Sequence, residues 1–401
     1  MPITQCDQGG SLGPMPKPTN AIFSPLGTTI FTVMSQLATA HRAINLGQGF
    51  PDGNGHEDMR AQAALFLNDQ PNQYPPMLGV PDLRQAVATH ATRFYALDIV
   101  WKDEVMVTSG ATEALAACLL GLINPGDEVV LIEPLYDSYL PIVRLAGGVP
   151  KCVRLAPPYW ELPREALAAA FGPKTKAIVL NSPMNPIGKV FMREELTFIA
   201  NLVARFDAYA ICDEVYEHLT FANRPHIPLM TLPGMRTRCL RIGSAGKTFS
   251  LTGWKVGYVT AAPALLQAAA KTHQFLTFTT PPNLQRAVAY GLEKDDAYFS
   301  NLVSTLQAKR DLLAAGLREI GFTVLESDGT YFVTADFAVF GFDGDDVAFC
   351  RHLTTEAGVA AIPVSAFYES EAPKTLNRFA FCKSDDVLIE ALTRLTRHFK
   401  R

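Results

Sequence analysis

Charge is scarce in this chain. Asp, Glu, Lys and Arg supply 18% of its 401 residues and nearly cancel, leaving a net charge of -4. No run of Lys and Arg matches a phosphate backbone or an anionic bilayer, which argues against nucleic-acid and membrane partners. Long hydrophobic runs are lacking too. Nowhere do about eighteen apolar residues follow one another, the length a membrane-crossing helix needs. The first apolar cluster, Ala21-Ile22-Phe23, is too short for a signal-peptide core, so a cytoplasmic protein is expected. Seven cysteines (Cys6, Cys118, Cys152, Cys212, Cys239, Cys350, Cys382) form no Cys-x-x-Cys pair and are odd in number. That pattern speaks against a disulfide framework or a metal site and for reduced core residues. A P-loop would need glycine five residues before Gly246, where Arg241 stands. There is no internal repeat and no low-complexity tract.

What is present is apolar residue, 48% of the chain, enough to bury a large core in two domains. Residues 1–25, rich in Gly, Pro, Ser and Asn, read as an arm. From about 80 to 300, short apolar runs alternate with helical stretches: Glu104 to Thr108, Glu128 to Ile132, Lys176 to Leu180 and Tyr209 to Cys212. Unbroken apolar strands separated by helices predict a mostly parallel sheet covered on both faces, an α/β domain. A long helix from about Asp295 to Ile320 follows. The runs Phe322 to Leu325 and Thr330 to Thr334 then predict strands around the turn Ser327-Asp328-Gly329, and Asp385 to Phe399 predicts an amphipathic helix. Residues 26–59 and 301–401 are therefore assigned to a smaller α+β domain, and 60–300 to the large one.

Ligands of layered α/β folds bind at the carboxyl ends of the strands, so the residues just past each apolar run are the informative ones. Lys247 lies in Gly243-Ser244-Ala245-Gly246-Lys247-Thr248, read as a glycine-rich loop between two strands, and a lysine amine is the group that holds an aldehyde cofactor as a Schiff base. Ser244, three residues earlier, and Lys255, eight later, suit one anion. Gly110-Ala111-Thr112 open a helix after Thr108, a second anion site, although alone they read equally as an ordinary helix start. Tyr136 could lie on the face of a pyridine ring. Asn185 and Tyr216 could share the ring's phenolic oxygen, and Asp213 could hold its nitrogen protonated. Arg378, in the apolar run Leu376 to Phe381, suits bidentate capture of an α-carboxylate; its plain alternative is a structural salt bridge.

Taken together, Asn185-Pro186-x-Gly188, Asp213-x-x-Tyr216, Ser244-x-x-Lys247, Gly253-Trp254-Lys255-Val256-Gly257-Tyr258 and Arg378 resemble the class I pyridoxal-phosphate aminotransferases of fold type I. Ile44 to Asp52 and Asn72-Gln73-Tyr74 look like the subgroup of kynurenine aminotransferases, glutamine transaminase K and bacterial methionine aminotransferases. The resemblance implies a seven-stranded, mostly parallel sheet, pyridoxal 5'-phosphate, and amino-group transfer from a bulky neutral amino acid to a 2-oxo acid by ping-pong kinetics. It further implies a homodimer in which Tyr74 reaches the partner's phosphate, Gly49 seats the substrate carboxylate, and Phe31, with Phe278 and Thr279, belongs to the side-chain wall. Most of the class has arginine where Lys255 stands; lysine occurs in this subgroup. A cysteine-conjugate β-lyase and an N-succinyl-diaminopimelate aminotransferase share these motifs. A non-catalytic regulator of the same fold would be expected to carry a DNA-binding extension, for which neither terminus has the length or charge.

Overall fold

The computed structural model describes residue 17 and residues 19–400, so most of the expected arm lies outside the described residues. Seven strands form the main sheet, in the order Val105–Thr108, Gly257–Ala261, Cys239–Ser244, Tyr209–Asp213, Thr175–Asn181, Glu128–Glu133, Val149–Arg154. All run parallel except Gly257–Ala261, which is antiparallel to both neighbours. Apolar residues on both faces of these strands explain the covering. Val130, Ile178, Leu180, Ala210 and Cys212 enter one buried cluster, while Val129, Leu131, Val179, Ile211 and Ile242 enter another on the opposite face.

A second, four-stranded antiparallel sheet has the order Ile362–Pro363, Leu376–Ala380, Phe332–Asp336, Thr323–Val324. The helices Asp296–Ile320 and Asp385–Phe399 share an apolar cluster with it, through Leu306, Leu313 and Leu317 on one and Leu388, Ala391 and Leu395 on the other. Their starts follow from capping. Asp295 accepts from the Tyr298 amide and Ser384 from that of Val387, each satisfying a donor with no partner inside the helix. The early segment returns to this unit: Ile44–Asn45 pairs in parallel with Val359–Ala360.

One local expectation is corrected. Lys247 lies not on an open loop but on a single helical turn, Ala245–Thr248, directly after the strand Cys239–Ser244. The Phe249 amide bonds back to the Ala245 carbonyl at 2.9 Å, giving the lysine a backbone firmer than a loop's. No helix among the described residues is long and apolar enough to cross a membrane.

Candidate active site

Four parallel strands deliver polar residues to one edge of the large sheet, ending in Thr108, Asn181, Asp213 and Ser244. The lone antiparallel strand begins where these end, because Gly257 pairs with both Thr108 and Ser244. Lys255, two residues earlier, therefore reaches the same edge. A cavity of about 330 Å³ opens there. Phe31, Gly49, Gly110, Ala111, Thr112, Tyr136, Asn185, Asp213, Tyr216, Ser244, Lys247, Lys255 and Arg378 all line it.

Inside it, Lys247 Nζ donates to the Gly49 carbonyl at 3.3 Å and sits over the rings of Tyr216 and Tyr331 at 5.5 and 5.4 Å. Burial brings its amine down to about 8, so a substantial neutral, nucleophilic fraction exists near neutral pH. Asp213 is buried, and burial pushes its carboxyl up. The Tyr139 hydroxyl, donating to Oδ2 at 2.6 Å, and the Val215 amide, donating to Oδ1 at 3.3 Å, oppose that shift. Gly110 has a φ of +78°, and a Cβ built there would lie 3.3 Å from Lys255 Nζ. Glycine thus keeps a concavity open under that ammonium group.

Arg378 is 1% exposed and has no carboxylate partner among the described residues. Its Nη1 donates to Asn185 Oδ1 at 2.9 Å and its Nη2 to the Gly47 carbonyl at 2.6 Å, while Nε is buried without a partner. The guanidinium lies 3.9 Å from the Phe332 ring centre, and burial brings its pKa down to about 10. The structural salt bridge offered as its plain alternative is therefore not what holds it.

Tyr74 is not brought to this cavity by its own chain. It is 83% exposed and meets the Phe278 ring edge-on at 5.5 Å. Sequence reasoning passed over Tyr139, which holds Asp213, and Asn181, whose amide donates to the Asp213 carbonyl at 2.9 Å while its oxygen accepts from the Asn185 amide at 2.8 Å. Asn181 ends its strand, a signal that was available. Tyr139 lies six residues past its strand, on the helix Tyr139–Leu145, and carried no such signal. Phe332 and Gln48, which also line the cavity, come from distant parts of the chain.

A strand-end cavity uniting a half-buried lysine, a buried carboxylate and an arginine with no carboxylate partner suits group transfer on a molecule that carries an amine and a carboxylate together. Comparison with known proteins agrees: residues 41–395 match the family model described as aminotransferase class I and II, and the chain belongs to that family and is a transaminase. Enzymes of this family work with pyridoxal phosphate. The chain is 39% identical to methionine aminotransferase of Escherichia coli over 92% of this chain and 96% of that one. It is 38% identical to the kynurenine–oxoglutarate transaminase of Dictyostelium discoideum, over 92% and 93% respectively. The solved N-succinyldiaminopimelate aminotransferase of Mycobacterium tuberculosis superimposes with a TM-score of 0.92 at 44% identity, over 95% of this chain and all of that one.

Proposed function

We propose that this transaminase holds pyridoxal phosphate on Lys247 and takes its amino group from a bulky neutral amino acid. The observation that carries this reading is a half-buried lysine, its amine depressed to about 8, in one cavity with Asp213 and Arg378. The donor set fits the cofactor. Lys255, Ser244 and the Gly110-Ala111-Thr112 turn suit its phosphate, Asp213 its ring nitrogen, Asn185 and Tyr216 its phenolic oxygen, and Tyr136 its ring face. A buried carboxylate whose charge is opposed by burial is stabilised by a cationic neighbour, which a protonated ring would be.

When bound, the cofactor supplies an aldehyde for capture of an amino group and a ring that accepts the electron pair left at the substrate's Cα. The remaining work belongs to the chain. Arg378, with its open Nε, binds the substrate carboxylate, and the backbone at Gly49 helps seat it. Lys247 Nζ takes the proton from Cα, a task suited to an amine whose pKa lies near the working pH. Tyr139 and Asn181 orient Asp213. Phe31 and Phe332 exclude water beside the carboxylate site.

The chain is further read as a homodimer. The exposed apolar residues Tyr74, Phe275, Leu276 and Phe278 support a second copy there, with Tyr74 reaching that copy's phosphate site and Phe278 and Thr279 its substrate wall. A division into a large domain (60–300) and a small one (26–59 with 301–401) belongs to the same reading, supported by the two sheets. So does a cytoplasmic location, supported by cysteines that, among the described residues, are free and mostly buried.

A second reading, an N-succinyldiaminopimelate aminotransferase, is favoured by the 44% identity to the mycobacterial enzyme. A panel of amino donors, including methionine, glutamine, kynurenine and N-succinyl-diaminopimelate, against several 2-oxo acids separates the two. Release of pyruvate and ammonia from a cysteine conjugate would mark β-lyase activity instead. For the core of the proposal, purified protein should absorb in the visible range, borohydride should fix the label on Lys247, and Lys247→Ala should abolish turnover. A label on another residue overturns it.

A further inference from the structure

Beside the cavity, the two sheets are joined by a set of charges that the chemistry above does not use. The strand Glu128–Glu133 ends just before Leu135 and Tyr136, the proposed ring-facing aromatic. Across from it runs the segment 367–371. The Leu135 amide donates to the Phe367 carbonyl at 2.6 Å, and the Glu369 amide donates to Oε1 of the buried Glu133 at 2.8 Å. Arg144 pairs with the Glu369 carboxylate. Arg154 adds Glu371 at 3.2 Å and the Ser370 carbonyl at 2.7 Å. The segment so held starts with Phe367, whose ring meets Phe31 edge-on at 5.7 Å and lies 5.1 Å from the Arg378 guanidinium.

We propose that Arg144 and Glu369 are positioning residues for the amino acid: their ion pair holds 367–371 against the strand end carrying Tyr136, and so sets the space between Phe367, Phe31 and Arg378. This rests on the reading that the cavity receives the substrate carboxylate at Arg378. Neither residue lines the cavity, and nor does Phe367, so each acts through Phe367 on Phe31 and Arg378, which do. The pair is reached by salt, since the two side chains are 44% and 38% exposed.

The test is steady-state kinetics of the holoenzyme with methionine, comparing wild type with Arg144→Gln, Arg144→Lys, Glu369→Gln and the double variant Arg144→Gln/Glu369→Gln. Arg144→Gln and Glu369→Gln should each raise KM, by up to about fivefold if the pair has the upper strength of an exposed one, with a smaller change in kcat. Arg144→Lys should recover most of the loss. The double variant should be no worse than either single one, because both remove the same interaction. Added salt should raise KM in the wild type more than in the variants. A lowered melting temperature with KM intact, or additive losses falling on kcat, would overturn the proposal and leave a merely structural joint. Failure of the underlying reading shows differently, as kcat/KM surviving intact in Arg378→Leu.

Discussion

Two arginines in this protein are equally buried, each 1% exposed, and are held in opposite ways. Arg241 Nε donates to Glu214 Oε2 at 2.5 Å and its Nη2 pairs with Glu217, which also accepts from the hydroxyls of Tyr95 at 2.7 Å and Tyr258 at 3.1 Å. Burial opposes its charge, yet the two carboxylates more than offset that and raise its pKa. Arg378 has aromatic rings and neutral oxygens around it instead, and burial lowers its pKa to about 10. A charge balanced within the chain is a structural element; one left unbalanced is available to an anion from outside, the role proposed for Arg378. Both sit near the segment Asp213-Glu214-Val215-Tyr216-Glu217, whose Asp213 and Tyr216 line the cavity while Glu214 and Glu217 bind Arg241.

His90, Glu217 and His218 offer ligand atoms within 4.8 Å of one another, but they belong to the balanced side. The two imidazoles share a hydrogen bond at 2.7 Å and burial brings them down to about 4 and about 3, while Glu217 is committed to Arg241. A metal ion there would compete with a guanidinium already in place.

The largest effect should come from breaking the balanced arginine. Arg241→Met takes the guanidinium from two buried carboxylates, leaving Glu214 to His226 and Glu217 to tyrosine hydroxyls, and should cost about 3–5 kcal/mol of stability, measured by chemical denaturation; an unchanged midpoint would erase the distinction. Next, Arg378→Leu should lower kcat/KM at least about 100-fold, since charge-assisted hydrogen bonds are worth about 1.5–3 kcal/mol each. It should leave the melting temperature level or higher, because an unpaired buried charge is removed. A marked loss of stability there would make the two arginines alike.

The smallest effect concerns Lys247, a half-buried cation. Its amine is held at about 8 against an ordinary 10.5. Between those values the unfolded chain binds more protons than the folded one, so cofactor-free protein should gain stability as pH rises through that window. The gain is at most about 3 kcal/mol, read from melting temperature against pH. Lys247→Met should flatten the curve.

Much of this was legible in the chain itself. Most parallel strands announced themselves by continuous apolar runs and both long helices by their length and amphipathic pattern, because these signals are local, whereas the edge strand Val149–Arg154, with Pro150, Lys151 and Arg154, gave no such run. The residues just past the strand ends supplied only part of the cavity lining, because in such a sheet sequence position decides which edge a residue occupies but not which distant residues, such as Gln48 and Phe332, fold over it. The helical turn beneath Lys247 was missed because Gly-Ser-Ala-Gly composition suggests a loop, while packing under the strand end imposes a hydrogen-bonded turn.

Sequence by itself determined the element types, the sheet edge where polar groups gather and the family. Tertiary structure alone decided which charges are balanced. Nothing in the local sequence of Arg241 or Arg378 says that one meets Glu214 and Glu217 and the other Phe332, because those partners are 24 or more residues distant and only the packing of strands and sheets brings them within bonding range.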